Sequence, residues 1–219
     1  MSVALLDPSS NRTRIKFCGM TRAQDLAAAH QLGVDAIGLV LVPKSPRYVE
    51  PAAAAQLRAT TKLTVVALFQ DSDAAFVRHA TEEVRPDLLQ FHGDESEPFC
   101  ASFGLPYLKA VSMHASQDLS KLRDSFASAA GLLLDSHRAG GLGGTGHAFD
   151  WSAVAPIDKP IVLAGGLNAA NVGEGIARLH PAAVDVSSGI EEKPGVKDSA
   201  KMRDFVEAVR AADRATHRS

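Results

Sequence analysis

Two side chains that could transfer protons stand at the ends of strand-like runs, Cys18 in "RIKFCGMT" and Asp135 in "GLLLDS". A thiolate can act as a general base and a carboxylic acid as a general acid, so the pair suits a reaction that moves protons on one substrate. Each residue also has an ordinary structural interpretation, because free cysteines are often buried in cores and aspartates often cap loops or helices. Acid–base chemistry therefore requires a fold that brings the two strand ends together.

Three segments late in the chain combine glycine with hydroxyl side chains: "GGLGGTG" from Gly140, "AGGLN" from Ala164 and "DVSSG" from Asp185. Glycine lets backbone N–H groups approach an anion closely, and such groups bind phosphate. One segment alone would indicate only a turn, but three together favour a phosphate site. The candidate phosphate-binding residues are Gly143, Gly144, Thr145, Gly146, Gly165, Gly166, Ser187, Ser188 and Gly189.

Arg47 in "VPKSPRYVEP" and His92 in "QFHGDE" follow two other strand-like runs and are candidate substrate-binding residues. A guanidinium can bind a carboxylate through two parallel hydrogen bonds. The alternatives are a solvated surface arginine and a histidine with a purely structural role.

The two cysteines, Cys18 and Cys100, lie far apart and form no CxxC or Cys/His ligand spacing. The sequence therefore predicts neither a disulfide nor a zinc site. The other histidines show no ligand spacing, so no metal is expected. Cys100 falls in the helical stretch "EPFCASFG", where core packing is expected.

Eight short apolar runs, each bounded by Gly, Pro or Asp, alternate with stretches of helical periodicity. They are "RIKFC" from Arg14, "DAIGLVL" from Asp35, "LTVVALF" from Leu63, "DLLQFH" from Asp87, "YLKAV" from Tyr107, "GLLLD" from Gly131, "PIVLAGG" from Pro160 and "AAVDVSSG" from Ala182. A typical helical stretch is "RAQDLAAAHQLG", which ends at Gly33, a residue suited to a left-handed cap.

Runs that are apolar throughout and separated by helices indicate parallel strands covered on both faces. Eight such units predict a single (β/α)8 barrel, the TIM-barrel fold, over residues 14–219, after an N-terminal extension, residues 1–13, that we interpret as loose. An open nucleotide-binding sheet is disfavoured because no G-x-G-x-x-G follows the first strand. Active sites of such barrels lie at the carboxyl ends of the strands, where Cys18 and Asp135 would meet.

The composition is that of an ordinary globular protein, with 46 % hydrophobic and 22 % charged residues. A formal net charge of -2 without basic clusters, and only 5 % aromatic residues, argue against nucleic-acid binding. No apolar segment approaches the roughly 20 residues that a membrane span needs. The N-terminus has a short apolar run broken by Asp-Pro and no preceding basic residues, so it does not resemble a signal peptide. We therefore expect a cytoplasmic protein.

From residue 14 to about residue 212, the chain resembles the phosphoribosylanthranilate isomerases of tryptophan biosynthesis. The resemblance rests on "KFCGMT", "PKSPRY", "QFHGDE", "LLLDS", "GGTG", "LAGGLNAANV" and "AVDVSSGIEEKPGVKD", in the order of the family. One departure is "LFQDSD", where many relatives read Phe-Val-Asn after the third strand.

The resemblance implies an Amadori rearrangement of a small phosphorylated substrate, without a cofactor, by a monomer or homodimer. In that reaction Asp135 corresponds to the general acid that opens the ribose ring, and Cys18 to the base that removes the C2′ proton. Arg47 corresponds to the contact with the anthranilate carboxylate, and the glycine-rich segments to the phosphate site. A thiol base needs a lowered pKa or a compensating partner, and the sequence leaves this choice open. The related histidine-pathway isomerase has an aspartate in place of Cys18, and a non-catalytic barrel that binds a phosphorylated ligand would need neither Cys18 nor Asp135.

Overall fold

The computed structural model describes residues 4–7, 11–113, 118–136 and 149–216. Eight parallel strands close into a barrel in chain order, which confirms the predicted fold. The strands are β1 (Arg14–Phe17), β2 (Ala36–Val40), β3 (Thr64–Phe69), β4 (Leu88–Phe91), β5 (Tyr107–Ser112), β6 (Gly131–Asp135), β7 (Ile161–Leu163) and β8 (Ala183–Val186).

The barrel closes where β1 pairs with β8, and this register places Lys16 opposite Asp185 and Phe17 opposite Val186. Successive side chains of a strand point to opposite faces, so alternate residues face the barrel interior. Ile15 and Phe17 belong to the large core cluster between strands and helices. Lys16 therefore points inward, and so does Cys18, which follows it by two residues.

Seven α-helices surround the described part of the barrel. They are α1 (Ala23–Gln31), α2 (Pro51–Ala59), α3 (Ala74–Val84), α4 (Glu97–Ala101), α5 (Leu119–Ser125), α6 (Val172–Leu179) and α7 (Ser199–Thr216). Gly33 has φ +69°, which confirms the left-handed position predicted after α1. Cys100 is fully buried on α4, as predicted.

The regular alternation of strand and helix changes on both sides of β7 and β8. In residues 149–160, which lead into β7, the regular structure is one short 3-10 helix, Trp151–Ala153. After β8 come a 3-10 helix (Ser188–Ile190) and a small antiparallel hairpin of β9 (Glu191–Lys193) and β10 (Val196–Lys197). The hairpin brings additional charged residues to the carboxyl end of the barrel.

The N-terminal segment is not loose over residues 4–7, which corrects the interpretation drawn from the sequence. Leu5 and Leu6 are 0 % and 5 % exposed and pack with inward-facing residues such as Leu108 and Leu133. A Cβ built on Gly131, at the start of β6, would lie 3.3 Å from a methyl carbon of Leu6. The segment therefore closes the amino end of the barrel. Its apolar run was too short to be recognised as core from periodicity.

We expect Leu5→Ala to destabilise the fold by about 2–5 kcal/mol, because it removes a fully buried side chain and leaves a cavity. Chemical denaturation would measure the loss. Leu32→Ala, at a partly buried position just after α1, should cost less and serves as the control. An equal, small effect of both changes would contradict the packed position of Leu5.

Candidate active site at the carboxyl ends of the strands

Cys18 and Asp135 both lie at the carboxyl end of the barrel and face its interior. Cys18 follows β1, and its backbone N–H donates to the carbonyl of Val186 at 2.9 Å. Asp135 is the last residue of β6, two positions after the inward-facing Leu133. The fold thus meets the condition that sequence analysis set for acid–base chemistry.

The Cys18 thiol lies against the ammonium group of a buried lysine. Lys16 is 0 % exposed, its Nζ donates to Asp185 Oδ2 at 2.9 Å, and its positive charge acts on the thiol. A Cβ built on Gly38 of β2 would lie 2.9 Å from Cys18 Sγ and 3.2 Å from Lys16 Nζ. The absence of a side chain at Gly38 therefore leaves the space that the thiol and the ammonium share.

Burial raises the pKa of the Cys18 thiol, and the positive charges of Lys16 and Lys197 offset this only in part. Burial opposes the charge on Lys16 as well, but the Asp185 carboxylate raises the pKa of Lys16 above its usual value. Lys16 is therefore a charged ammonium beside the thiol.

Asp185 lies on the inward face of β8 between charged groups of both signs. Burial raises its pKa, as does the negative charge of Asp135, while Lys16 acts in the opposite direction. Asp185 Oδ1 is buried and has no hydrogen-bond partner among the described residues. The carboxylate is thus electrostatically coupled to both Lys16 and Asp135.

Arg47 is buried rather than solvated, and its guanidinium is held by a carboxylate of the hairpin. Its Nε and Nη2 donate to the two oxygens of Glu191 at 2.9 and 2.7 Å, and Lys197 Nζ donates to the same carboxylate at 2.8 Å. The arginine stem crosses Gly19, where a Cβ would lie 2.5 Å from Arg47 Cδ. Burial acts to raise the pKa of Glu191, but the two cations hold it below its usual value.

His92 is partly buried just beyond β4, and its Nε2 lies 2.5 Å from the amide Nε2 of Gln90. Residues two apart share a face, so both side chains belong to the inward-facing set. Gln90 is therefore a hydrogen-bonding neighbour of His92 on the inward face. The contact of His92 with a substrate stays a prediction.

The candidate phosphate loops after β7 and β8 lie beside each other. Gly165 and Gly166 both have positive φ, +79° and +66°. A Cβ on Gly189 would lie 2.0 Å from the carbonyl oxygen of Leu167, so the two loops are in backbone contact. Ser187 and Ser188 follow β8 directly, and the Ser187 hydroxyl is buried without a hydrogen-bond partner among the described residues. Gly143, Gly144, Thr145 and Gly146 lie outside the described residues.

Sequence reasoning missed four charged residues that surround Cys18: Lys16, Asp185, Glu191 and Lys197. Lys16 and Asp185 carried a usable signal, because each is a charged residue inside an apolar strand and lies two positions before a candidate site residue. Such residues must face the interior with their neighbour. Glu191 and Lys197 carried no comparable signal, since the hairpin was not predicted.

Within residues 4–7, 11–113, 118–136 and 149–216, no group of three or more His, Cys, Asp or Glu side chains could hold a metal ion. None of the helices in these ranges has the length and apolar character needed to cross a membrane.

Comparison with known proteins gives one consistent result. The sequence model of the family described as N-(5′phosphoribosyl)anthranilate (PRA) isomerase matches residues 15–208. An N-(5′-phosphoribosyl)anthranilate isomerase of Stenotrophomonas maltophilia is 52 % identical over 207 residues, which are 92 % of this chain and 95 % of that protein.

Two solved structures share the fold over nearly their full length. The dimeric phosphoribosylanthranilate isomerase of Thermotoga maritima, solved as monomers, gives a TM-score of 0.80 at 29 % identity and covers 90 % of this chain and 98 % of its own. The second is a phosphoribosyl anthranilate isomerase bound to reduced 1-(o-carboxyphenylamino)-1-deoxyribulose 5-phosphate. It gives a TM-score of 0.80 at 30 % identity, and the match covers 91 % of this chain and 99 % of that chain.

We expect Glu191→Gln to lower the free energy of unfolding at pH 7 by about 3–5 kcal/mol, because it leaves two buried cations without their carboxylate. The lowered pKa of Glu191 means that its contribution is complete above the unfolded value of about 4.3 and is lost as pH falls through the folded value. Denaturation at pH 7 and pH 3 should therefore show a smaller difference between variant and wild type at pH 3. The exposed Glu82→Gln is the control, and a difference independent of pH would contradict the assignment.

Gly165→Ala should lower kcat on the order of 10²-fold, since a small displacement of a catalytic group has effects of that size. A Cβ there would lie 2.2 Å from the backbone N of Ser136 and 2.8 Å from Asp135 Oδ1, at a φ of +79°. The control is Gly173→Ala on α6, where the nearest atom is 3.8 Å away. Steady-state kinetics on folded protein would test this, and equal activities of the two variants would show that Asp135 is not displaced.

Proposed function

This chain belongs to the N-(5′-phosphoribosyl)anthranilate isomerase family, and we propose that the barrel mouth around Cys18 and Asp135 carries out that family's reaction. The enzyme is an intramolecular isomerase of tryptophan biosynthesis. It converts N-(5′-phosphoribosyl)anthranilate to 1-(2-carboxyphenylamino)-1-deoxyribulose 5-phosphate. The observation that carries the assignment of roles is the presence of a thiol and a carboxyl group on inward-facing strand ends of one barrel.

In the first step we assign Asp135 as the general acid. A protonated Asp135 gives its proton to the ring oxygen of the ribose, the C1′–O4′ bond breaks, and the anilinic nitrogen supplies electrons to form a Schiff base. Asp135 lies near a second carboxyl group, because its negative charge is one of the causes that raise the pKa of Asp185.

In the second step we assign Cys18 as the general base. The thiolate removes the C2′ proton of the Schiff base, whose positive nitrogen accepts the electrons of the C–H bond. The resulting enolamine then tautomerises to the ketone. In this last step the C2′ hydroxyl loses its proton and C1′ gains one. Over the whole reaction Asp135 loses one proton and Cys18 gains one, so proton exchange with solvent restores both groups, and no step uses a cofactor.

Arg47 is the proposed contact for the anthranilate carboxylate. Glu191 accepts from Nε and from one N–H of Nη2, so the N–H groups of Nη1 and the second N–H of Nη2 are left for the substrate. The pairing with Glu191 fixes the guanidinium in one orientation before the substrate arrives, which reduces the entropy lost on binding.

The phosphate is proposed to bind at the loops after β7 and β8, at Gly165, Gly166, Ser187, Ser188 and Gly189, with the segment Gly143–Gly146 as a further candidate. The left-handed glycines and the unpartnered Ser187 hydroxyl support this assignment. His92 is retained as a proposed substrate contact on the opposite side of the mouth.

We further propose that the enzyme works in the cytoplasm on its small phosphorylated substrate, without nucleic acid or membrane, as a monomer or homodimer. Both cysteines are unpaired and buried, which suits a reducing compartment. A dimeric relative from Thermotoga maritima supports the homodimer alternative.

Cys18→Ala and Asp135→Asn should each lower kcat by about 10²- to 10⁴-fold, the usual contribution of a general base or acid, and should change KM much less. The assay follows the loss of fluorescence of phosphoribosylanthranilate made in situ. Cys100→Ala is the matched control, since it removes a buried thiol from α4 and should lower stability but not kcat.

Two results would contradict the proposal. Absence of turnover by wild type above the uncatalysed background would refute the function. A Cys18→Ala variant that melts at lower temperature but keeps its activity per folded molecule would return Cys18 to a packing role.

A further inference from the structure

Lys16 is a buried charged residue that the proposed reaction does not use. Its side chain is fully buried, and its ion pair with Asp185 lies inside the barrel, where burial removes both charges from water. Replacing such a pair with apolar residues is often neutral or stabilising, so stability alone does not explain it. The pair lies directly beneath the thiol that the reaction needs as an anion.

We propose that Lys16 is a positioning residue that holds the ionised form of Cys18 by donating a hydrogen bond from Nζ to Sγ, with Asp185 fixing the ammonium in place. The inference rests on the proposed function in that it assumes a role for the Cys18 thiolate. It adds the source of the compensating charge, which the sequence left open.

The other charged groups near the thiol either donate to a different carboxylate or carry a negative charge. Arg47, from the loop after β2, and Lys197, on β10, both donate to Glu191 on β9. Asp135 on β6 and Asp185 on β8 are acidic and disfavour a second negative charge. Among the described cations whose charge acts on Cys18, Lys16 is therefore the one whose hydrogen-bonded carboxylate, Asp185, is not also bonded to Arg47 or Lys197.

The geometry of Gly38 places the thiol and the ammonium group in the same small space. The position that its Cβ would take is 2.9 Å from Sγ and 3.2 Å from Nζ, so both atoms converge on one point of the barrel wall. One N–H of the ammonium is directed to Asp185 Oδ2 and another is available to the thiolate.

The test measures the ionisation of Cys18 itself. The rate of carbamidomethylation by iodoacetamide, followed by mass spectrometry of the Cys18 peptide, is recorded against pH for wild type, Lys16→Met and Lys16→Arg. Cys100, on α4, does not interfere, because it lies on a different peptide and its alkylation is counted separately by mass spectrometry. The matched control is Lys109→Met, which removes another buried lysine paired with a carboxylate, Glu95, at 2.9 Å.

Lys16→Met should raise the midpoint of the alkylation profile by at least one pH unit, and should lower the rate at pH 7 at least tenfold. The acidic limb of kcat/KM should move in the same direction, and activity should recover at high pH. Lys16→Arg should keep most of the wild-type profile, and Lys109→Met should leave the midpoint unchanged. A Lys16→Met midpoint equal to that of wild type would overturn the proposal.

If Lys16→Met does not fold, the test compares Asp185→Asn with the double variant Lys16→Met/Asp185→Asn. Neither of these two variants contains a buried carboxylate at position 185 without its lysine. The double variant must then have a higher midpoint than Asp185→Asn, and equal midpoints would overturn the proposal. Failure of the proposed function is a separate result: Cys18→Ala would remain active, whatever the alkylation profiles show.

Discussion

The register between the first and last strands is the constraint on which the rest of the site depends. Closing β1 onto β8 sets Lys16 opposite Asp185 and brings Cys18 beside Val186. A slip of one residue would turn the inward set outward, because side chains alternate along a strand. The thiol, the ammonium and the carboxylate would then face the helices. The same backbone pairing that completes the barrel thus also assembles the charges at its mouth.

The charged groups of the site are buried, although water would solvate them better. Two buried ion pairs, Lys16 with Asp185 and Arg47 with Glu191, lie near the thiol. Buried ion pairs contribute little to net stability but strongly penalise the loss of one partner. Their arrangement fixes the orientation of ammonium and guanidinium before any ligand is present. Such preorganisation is a principal source of electrostatic catalysis.

The eight strands could be predicted because each is a contiguous apolar run, and parallel strands buried on both faces have that pattern. Cys18 and Asp135 could be predicted as a pair because all strands of such a barrel end on the same face. The environment of Arg47 could not be predicted, since its partner Glu191 is 144 residues away on an unpredicted hairpin. Lys16 could have been predicted as part of the site, because a lysine two residues before Cys18 in an apolar strand lies on the same face as Cys18. The role of the first residues was missed because three apolar residues carry no periodic signal.

The closure of the amino end by Leu5 and Leu6 has a consequence for the order in which the chain acquires its structure during synthesis. These two residues are translated before their contacts Leu108, Gly131 and Leu133, which follow more than a hundred residues later. Until then part of the apolar surface that covers the segment is missing. Contacts of such large sequence separation form late and slow the folding of a chain. Leu5 and Leu6 are therefore translated early but are among the last residues to reach their packed positions.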